Sequence, residues 1–448
     1  MSEEYVSEIP AVLDEVQLAS LNTNLVTFNY EETPITEIVN AIIIDAIKKE
    51  ASDIHFDPNE DGLKIRIRID GNLFDYSIVP LYVQKNMITR IKIIAGMNIT
   101  ESRTPQDGAI KNNLENKQVD LRVSSLPTNL GEKIVIRILD YSKSSAGIEE
   151  LGFNKTNLEK VKDIIRNPNG IILVTGATGT GKSTTVYAIL QVLNTEDRNI
   201  ITVEDPIEMN IEGINQVQVI SDIGLDFATA LRSILRQDPD IIMIGEIRDD
   251  ETARIAVRAA ITGHLVLSTI HTNTSLNTIE RLLDMNVERY LLGSAISGII
   301  SQKLARKLCA RCRGSRPTNT YEKKIFKDAL NIDVDNIYTP VGCNECNAGY
   351  RGRIAIHEVL KINQEIQDAI TKNTSKEKLR KLVYSSGTIT MLQDGLAKVV
   401  EGETTFEEIL KLIDLEDDLG SDTNLGLENT LKDSQITNLN NDYELLDF

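Results

Sequence analysis

The stretch GATGTGKST at residues 176–184 constrains the fold of this chain more than any other feature. It matches the pattern G-x-x-x-x-G-K-[ST] and lies between an apolar run, IILVT, and a helix-forming run, STTVYAILQVL. Its glycines allow backbone N–H groups to surround a phosphate, and the helix that follows points its positive end at the same charge. The pattern predicts a strand, a phosphate-binding loop and a helix, in that order.

The predicted phosphate-binding loop gives each polar position a role. We expect Lys182 to reach the β and γ phosphate oxygens of ATP, and Ser183 to ligate Mg²⁺ at the start of the helix. A plain glycine-rich turn, which is the alternative, leaves Lys182 and Ser183 unexplained. The predicted nucleotide-binding residues are Gly176, Thr178, Gly179, Thr180, Gly181, Lys182, Ser183 and Thr184.

From residue 153 to about residue 300, apolar runs alternate with helical stretches. The runs are IILVT, IITVE, IIMIG and HLVLST. This alternation is typical of a parallel sheet covered by helices on both faces. The predicted fold class is therefore α/β, with a P-loop domain built on this sheet.

The rest of the chain separates into shorter parts. Apolar spacing predicts a helix from Ile35 to Ile47, and alternating residues predict strands at 63–69, 119–127 and 132–140, with a hairpin turn at Asp70-Gly71. The predicted division is an acidic extension (1–33), a small α+β domain (34–140), a linker (141–152), the α/β core (153–300), a cysteine-bearing segment with helices (301–412) and an acidic, disordered tail (413–448).

Carboxylates follow two of the apolar runs. Glu246 follows IIMIG, and Glu204 ends IITVE. Many P-loop enzymes have an Asp for Mg²⁺ at the position of Gly245, so another residue must supply that carboxylate here. We assign Glu246 to activating the attacking water and Glu204 to the Mg²⁺ and water network; the alternative for Glu246 is a surface salt bridge to Arg248.

Two histidines flank the fourth apolar run, in TGHLVLSTIHTNTS. An isolated histidine is more often structural than catalytic. Phosphoryl transfer nevertheless needs polar donors near the γ phosphate, and His271 stands at the predicted end of a strand. We therefore predict a role for His271.

The four cysteines form two C-x-x-C pairs, Cys309 with Cys312 and Cys343 with Cys346. Four thiolates in this arrangement can close a tetrahedral Zn²⁺ site, and cytosolic disulfides are disfavoured. The thirty residues between the pairs exceed the usual zinc-ribbon spacing, so buried thiols are the alternative. We predict structural Zn²⁺, because the pattern leaves no open position for catalysis.

The net charge of −19 comes mostly from the two ends of the chain, and no basic or apolar export signal begins it. We therefore expect a cytoplasmic location. A near-neutral body argues against a general nucleic-acid binder, since phosphate contacts need clustered Lys and Arg. Residues 303–316 are locally basic, so charge alone leaves a nucleic-acid motor open.

Several motifs resemble, in the same order along the chain, those of the secretion ATPase superfamily of type II secretion and type IV pilus systems. They are SDIHFDP, LRVSSLPTNLGEKIVIRIL, the P-loop, ITVEDPIE, LRQDPDIIMIGEIRDDETA, the histidine stretch and the cysteine pairs. The resemblance implies a homohexamer of RecA-like domains, each with a PAS-like N-terminal domain. It implies that Glu246 is catalytic with Glu204 beside it, and that Arg122 and Arg137 approach the phosphates. Arg232 and Arg236 are candidates on the ATPase side.

Within that superfamily, assembly and export ATPases usually carry the cysteine segment and retraction ATPases usually lack it. The resemblance thus implies a cytoplasmic ATPase at the inner face of the membrane that drives pilin polymerisation through an inner-membrane platform protein. A type II secretion or competence pseudopilus ATPase is the alternative, and a nucleic-acid motor is less favoured. The short stretch before the first matching helix suggests that the longer first N-terminal domain of many relatives is absent or replaced.

Overall fold

A computed structural model describes residues 25–114, 117–140 and 147–413 as a mixed α/β protein. Most of the predicted acidic extension, the first part of the predicted linker and nearly all of the predicted acidic tail lie outside these residues. Within the described ranges, no helix has both the length and the apolar character required to cross a bilayer.

The N-terminal part of the described chain forms a six-stranded antiparallel sheet with two helices. Its elements are α1 (Ile35–Lys48), β1 (Asp53–Asn59), β2 (Gly62–Ile69), β3 (Asn72–Val79), α2 (Leu81–Ile94), β4 (Gln106–Leu114), β5 (Lys117–Thr128) and β6 (Gly131–Asp140). The strand order is β3-β2-β1-β6-β5-β4. The predicted helix and the strands β2, β5 and β6 are confirmed, whereas β1, α2 and β4 were not foreseen.

Strand β2 shows how the sequence specifies this sheet. Leu63, Ile65, Ile67 and Ile69 are buried against the helices, and the intervening basic residues are partly exposed. The chain then reverses at Asp70-Gly71, and both residues have positive φ (50° and 88°), as a tight hairpin turn of this kind requires. The alternation of side chains therefore fixes which face of the strand is buried.

The next part of the chain builds a second, larger sheet. Its elements are α3 (Lys155–Ile165), β7 (Gly170–Thr175), α4 (Lys182–Leu193), β8 (Ile200–Glu204), β9 (Asn215–Gln218), α5 (Phe227–Ile234), β10 (Ile241–Ile244), α6 (Asp250–Ile261), β11 (Leu265–Ile270), α7 (Ser275–Asp284), α8 (Arg289–Ala295) and β12 (Ile296–Leu308). The four predicted apolar runs are strands β7, β8, β10 and β11, and they pair in parallel.

The last part of the chain adds one more strand to this sheet and a cluster of helices. Its elements are β13 (Gly314–Pro317), α9 (Thr320–Leu330), β14 (Asn336–Thr339), β15 (Tyr350–Lys361), α10 (Gln364–Thr371), α11 (Lys376–Ser385), α12 (Met391–Val400) and α13 (Phe406–Leu412). The sheet order is β15-β12-β7-β11-β10-β8-β9, with β15 antiparallel to β12.

This topology differs from the boundary expected at residue 300, which falls inside β12. The second half of β12 is rich in basic residues, and Arg306 pairs with Glu408 of α13 through two hydrogen bonds of 2.9 and 2.7 Å. The local sequence does not reveal that the strand continues past residue 300, because the charge partner of Arg306 lies about a hundred residues further along the chain.

Candidate functional site

The loop between β7 and α4 has the backbone shape that its glycines predict. Gly176, Gly179 and Gly181 all have positive φ, at 153°, 79° and 86°. At Gly176 a Cβ atom would stand 2.5 Å from the carbonyl oxygen of Gln302, so only glycine fits against β12. Thr178 and Gly179 are exposed, as is Ser183 in the first turn of α4. A ligand can therefore reach the loop and the start of the helix.

Lys182 spans the loop from the first turn of α4. Its Nζ donates to the carbonyl oxygens of Gly176, at 2.8 Å, and Ala177, at 3.0 Å. Burial lowers the pKa of Lys182, and the nearby charge of Glu246 opposes that shift. The ammonium group is thus placed between the loop and a carboxylate from a different strand.

Glu246 lies just beyond β10, at the same sheet edge as the loop. Its carboxylate pairs with Arg248 and lies 3.5 Å from Nε2 of His271. The Arg248 ion pair is the one that the alternative interpretation expects. The two side chains differ in exposure, however: 14% for Glu246 against 62% for Arg248. The carboxylate faces the interior of the site and the arginine faces solvent.

The two histidines flanking β11 occupy opposite ends of that strand. His264 precedes β11, and its Nδ1 lies 3.0 Å from the carbonyl oxygen of Ala259. His271 follows β11, and burial together with the positive charge of Lys182 lowers its pKa. A neutral imidazole at pH 7 can donate or accept a hydrogen bond beside Glu246. Only His271 lies at the sheet edge that carries the loop.

Glu204, at the end of β8, is buried and already has several partners. Tyr187 of α4 donates to its Oε2, and Thr202 and Gln216 donate to its Oε1, at 2.6 and 2.9 Å. The side chain is linked to the loop helix through Tyr187. Sequence analysis assigned Glu204 to Mg²⁺ and did not single out Tyr187 or Gln216, because no local pattern links these three segments.

Gly245, where an Asp is common in P-loop enzymes, is tightly packed. Its N–H donates to the carbonyl oxygen of Val203 at 2.8 Å, and Thr269 donates to its carbonyl oxygen at 2.7 Å. A Cβ at this position would stand 3.3 Å from that Val203 oxygen and 3.4 Å from the Cα of Glu204. The close approach of β8 therefore leaves little room for a side chain at this position.

The four cysteines converge beyond the far end of β12. Cys309 and Cys312 follow β12, and Cys343 and Cys346 precede β15. All four Sγ atoms lie within 4.8 Å of one another, with separations of 4.0 Å between Cys309 and Cys343 and 3.7 Å between Cys312 and Cys346. The cysteines are free thiols, not disulfides.

These distances fit a tetrahedral metal ion. A Zn–S bond of about 2.3 Å places the corners of a sulfur tetrahedron roughly 3.8 Å apart. Burial raises the pKa of Cys312 and of Cys343, whereas at Cys346 backbone and thiol donors outweigh burial and bring the pKa down to about 7. All four donor atoms are sulfur. The donor set therefore suits a soft, thiolate-binding ion such as Zn²⁺.

The geometry can now be set beside known proteins. The family described as "Type II/IV secretion system protein" matches residues 29–411. The chain belongs to this family. It is 44% identical to the type II secretion system protein E of Aeromonas hydrophila over 383 residues, which cover 85% of this chain and 76% of that protein.

Two further relatives are named as pilus motor proteins. The type IV pilus assembly ATPase PilB of Myxococcus xanthus is 45% identical over 386 residues, covering 85% of this chain and 68% of PilB. The crystal structure of the pilus retraction motor PilT with bound ADP is 29% identical, with a TM-score of 0.59, and covers 86% of this chain and 99% of PilT.

The arginines singled out by resemblance to this secretion family are scattered in the structure. Arg122 of β5 donates to the carbonyl oxygen of Ile207, at 3.2 Å, in the segment that follows β8. Arg137 of β6 instead pairs with Asp53, at 3.1 Å, within its own sheet. Arg232 pairs with Glu251. Arg236 donates to the carbonyl oxygen of Arg232 at 2.8 Å. Of the two arginines on the N-terminal sheet, Arg122 therefore contacts the segment after β8, whereas Arg137 pairs within its own sheet.

Proposed function

We propose that this protein is a mechanochemical ATPase that powers type IV pilus assembly. Membership of the secretion family supports an ATP-hydrolysing enzyme. The observation that carries the proposal is the convergence of Lys182, Glu246 and His271 at one sheet edge, beside a glycine loop shaped for phosphate. These groups come from three neighbouring parallel strands, whose carboxyl ends are where such sheets bind ligands.

The proposed mechanism gives each of these groups a part in hydrolysis. The loop N–H groups and Lys182 hold the β and γ phosphates, and Ser183 would hold Mg²⁺, which offsets the phosphate charge. Glu246 accepts a hydrogen bond from the attacking water and orients it toward the γ phosphorus. His271, neutral beside Glu246, donates to the γ phosphate or to that water. Glu204 acts through Tyr187 to hold the segment after β8 in place.

We further propose the assembly and partners of the motor. In a homohexamer, Arg122 and Arg137 of the 34–140 domain would approach the nucleotide. Closure of that domain over the nucleotide would be transmitted to an inner-membrane platform protein and the pilin machinery. The motor would act at the cytoplasmic face of the membrane. The cysteine cluster would hold structural Zn²⁺, a feature that favours assembly over retraction. Sequence identity does not separate the two systems, at 45% to a pilus assembly ATPase and 44–47% to type II secretion proteins, so a pseudopilus motor is kept as the alternative.

The basic residues near the cysteines bear on the nucleic-acid alternative. Most are occupied by protein partners: Arg306 with Glu408, Lys307 with Glu403, Arg311 with Glu345, and Arg316 with Glu322 and Glu407. Arg313 donates to the carbonyl oxygen of Gly402 at 2.6 Å and lies over the ring of Tyr338. Phosphate binding would have to break these contacts, so the segment is poorly suited to grip DNA.

The test of the proposed activity is ATP turnover by the purified chain, with Lys182→Ala as the matched variant. We expect turnover by the unaltered protein and its loss in the variant, because the loop then lacks its cation. Equal turnover by the two proteins would exclude this site as the source of activity. DNA should leave the rate unchanged, and stimulation by DNA would favour the nucleic-acid motor.

A further inference from the structure

Gln302 contacts both the phosphate loop and the helix that follows it. This residue lies on β12, is 1% exposed, and has both ends of its amide bonded. Its Nε2 donates to the carbonyl oxygen of Thr180, at 2.7 Å, and its Oε1 accepts from the hydroxyl of Thr185, at 2.8 Å. Thr180 belongs to the loop and Thr185 to helix α4, so one amide clamps the loop to the helix that follows it.

The partners also fix which way the amide points. A carbonyl oxygen can only accept, so the NH₂ end of Gln302 must face Thr180. The hydroxyl of Thr185 can then donate to the remaining oxygen. The orientation follows from the chemistry of the partners and does not depend on distinguishing nitrogen from oxygen in the side chain.

The hydrogen bond from Gln302 to the Thr180 carbonyl oxygen sets the direction of the following N–H group, that of Gly181. The peptide between Thr180 and Gly181 is planar and trans, so its N–H points opposite to its C=O. Holding the Thr180 carbonyl on Gln302 therefore directs the Gly181 N–H away from β12. Gly181 has φ of 86° and no Cβ, so its own side chain does nothing to resist a flip of this peptide.

We propose that Gln302 is a positioning residue for phosphate binding, which holds the Thr180–Gly181 peptide so that the Gly181 N–H donates to the nucleotide phosphates. The main chain of β12 contributes from the same place, because the Gln302 carbonyl oxygen bounds the loop at Gly176. This inference rests on the proposed nucleotide site and adds a residue more than a hundred positions away from the loop.

The experiment compares ADP affinity in Gln302→Met, in Gln393→Met and in the unaltered protein. Methionine keeps the length of glutamine but removes the donor. Gln393 is the matched control, since its Nε2 donates to the carbonyl oxygen of Ala329, at 3.0 Å, and its Oε1 accepts from the N–H of Thr390, at 3.1 Å. We expect the ADP dissociation constant to rise about 10-fold in Gln302→Met and to stay unchanged in Gln393→Met.

A double-mutant cycle with Thr185→Val separates positioning from general stability. The hydroxyl of Thr185 donates to Gln302, whereas its main-chain N–H, which donates to the Gly181 carbonyl oxygen, is kept in Thr185→Val. This substitution should therefore weaken ADP binding less than Gln302→Met and add nothing further in the double variant. Unchanged ADP affinity in folded Gln302→Met would overturn the inference while leaving the proposed function intact. Failure of the unaltered protein to bind ADP would overturn the proposed function and the inference with it.

Discussion

The phosphate loop and the cysteine cluster adjoin the same strand but are held in different ways. Gln302, in the middle of β12, contacts the loop, and Cys309 follows the end of that strand. The loop takes its shape from glycine backbone angles and buried hydrogen bonds of the protein itself. The cluster instead brings together four thiols, three of them only partly buried, that do not bond covalently to one another. We infer that the first site is preorganised and that the second needs its ion.

We expect the purified protein to contain one Zn²⁺ per chain. Removing this metal should have the largest effect that distinguishes the two sites. Structural Zn²⁺ contributes apparent binding free energies of about 10–16 kcal/mol in isolated zinc peptides. Chelation should therefore release the amides around Cys312 and Cys346 to hydrogen exchange, while those of strand β7, which leads into the loop and is paired on both sides, stay protected. Cys346→Ser should reproduce this pattern without a chelator. Equal loss of protection in both regions would contradict the difference between them.

Removing the carboxylate of Glu246 should affect only the loop site. Glu246→Gln keeps the size of the side chain but cannot accept the proton of the water, so turnover should fall by about 10²–10⁴-fold. ADP affinity and bound Zn²⁺ should not change. Glu345→Gln is the matched control at the cysteine cluster, where Glu345 pairs with Arg311. It should leave turnover close to that of the unaltered protein, and full turnover by Glu246→Gln would exclude the proposed role.

The elements that sequence analysis predicted well are those specified locally. The strand before the loop, the helix after it and the Asp70-Gly71 hairpin each depend on residues within about ten positions of one another. Strand β1 was missed because its short, mixed run DIHFDPN directly follows a helix with strong apolar periodicity. Its strand conformation depends on pairing with β2 on one side and β6 on the other.

In the candidate site, too, sequence patterns indicated only the residues that a local motif or a strand end marks. Sequence patterns indicated Lys182 through the phosphate-loop motif, and Glu246 and His271 through their places at the ends of apolar runs, which parallel strands bring together. They could not indicate that Glu204 is surrounded by Tyr187, Thr202 and Gln216, or that Gln302 contacts the loop. The contacts of Tyr187, Gln216 and Gln302 join different elements of the fold, so no spacing rule encodes them.

The smallest effect is expected at the buried His357, which lies on β15 in the strand pair that adjoins both sites. It lies on β15 directly opposite Gln302, is fully buried, and stacks on Phe153 with ring centroids 3.9 Å apart. Burial, with the charge of Lys398 adding to it, holds its pKa well below the usual value. Asp394, the other charged group nearby, accepts from the His357 main-chain N–H at 2.9 Å.

The sign of the pH effect follows from this lowered pKa. Below a pH of about 6.5 the unfolded chain binds a proton at His357 that the folded chain does not, so the free energy of unfolding falls as the pH falls. One such proton contributes at most about 1.4 kcal/mol per pH unit. His357→Phe preserves the stacked ring and should flatten urea-unfolding stability between pH 6.5 and 5, with pH 8 as the internal control. Acid should also loosen the loop and the cysteine cluster together, because both adjoin the strand pair β12 and β15. If the free energy of unfolding of His357→Phe depends on pH as steeply as that of the unaltered protein, the acid sensitivity belongs to other groups.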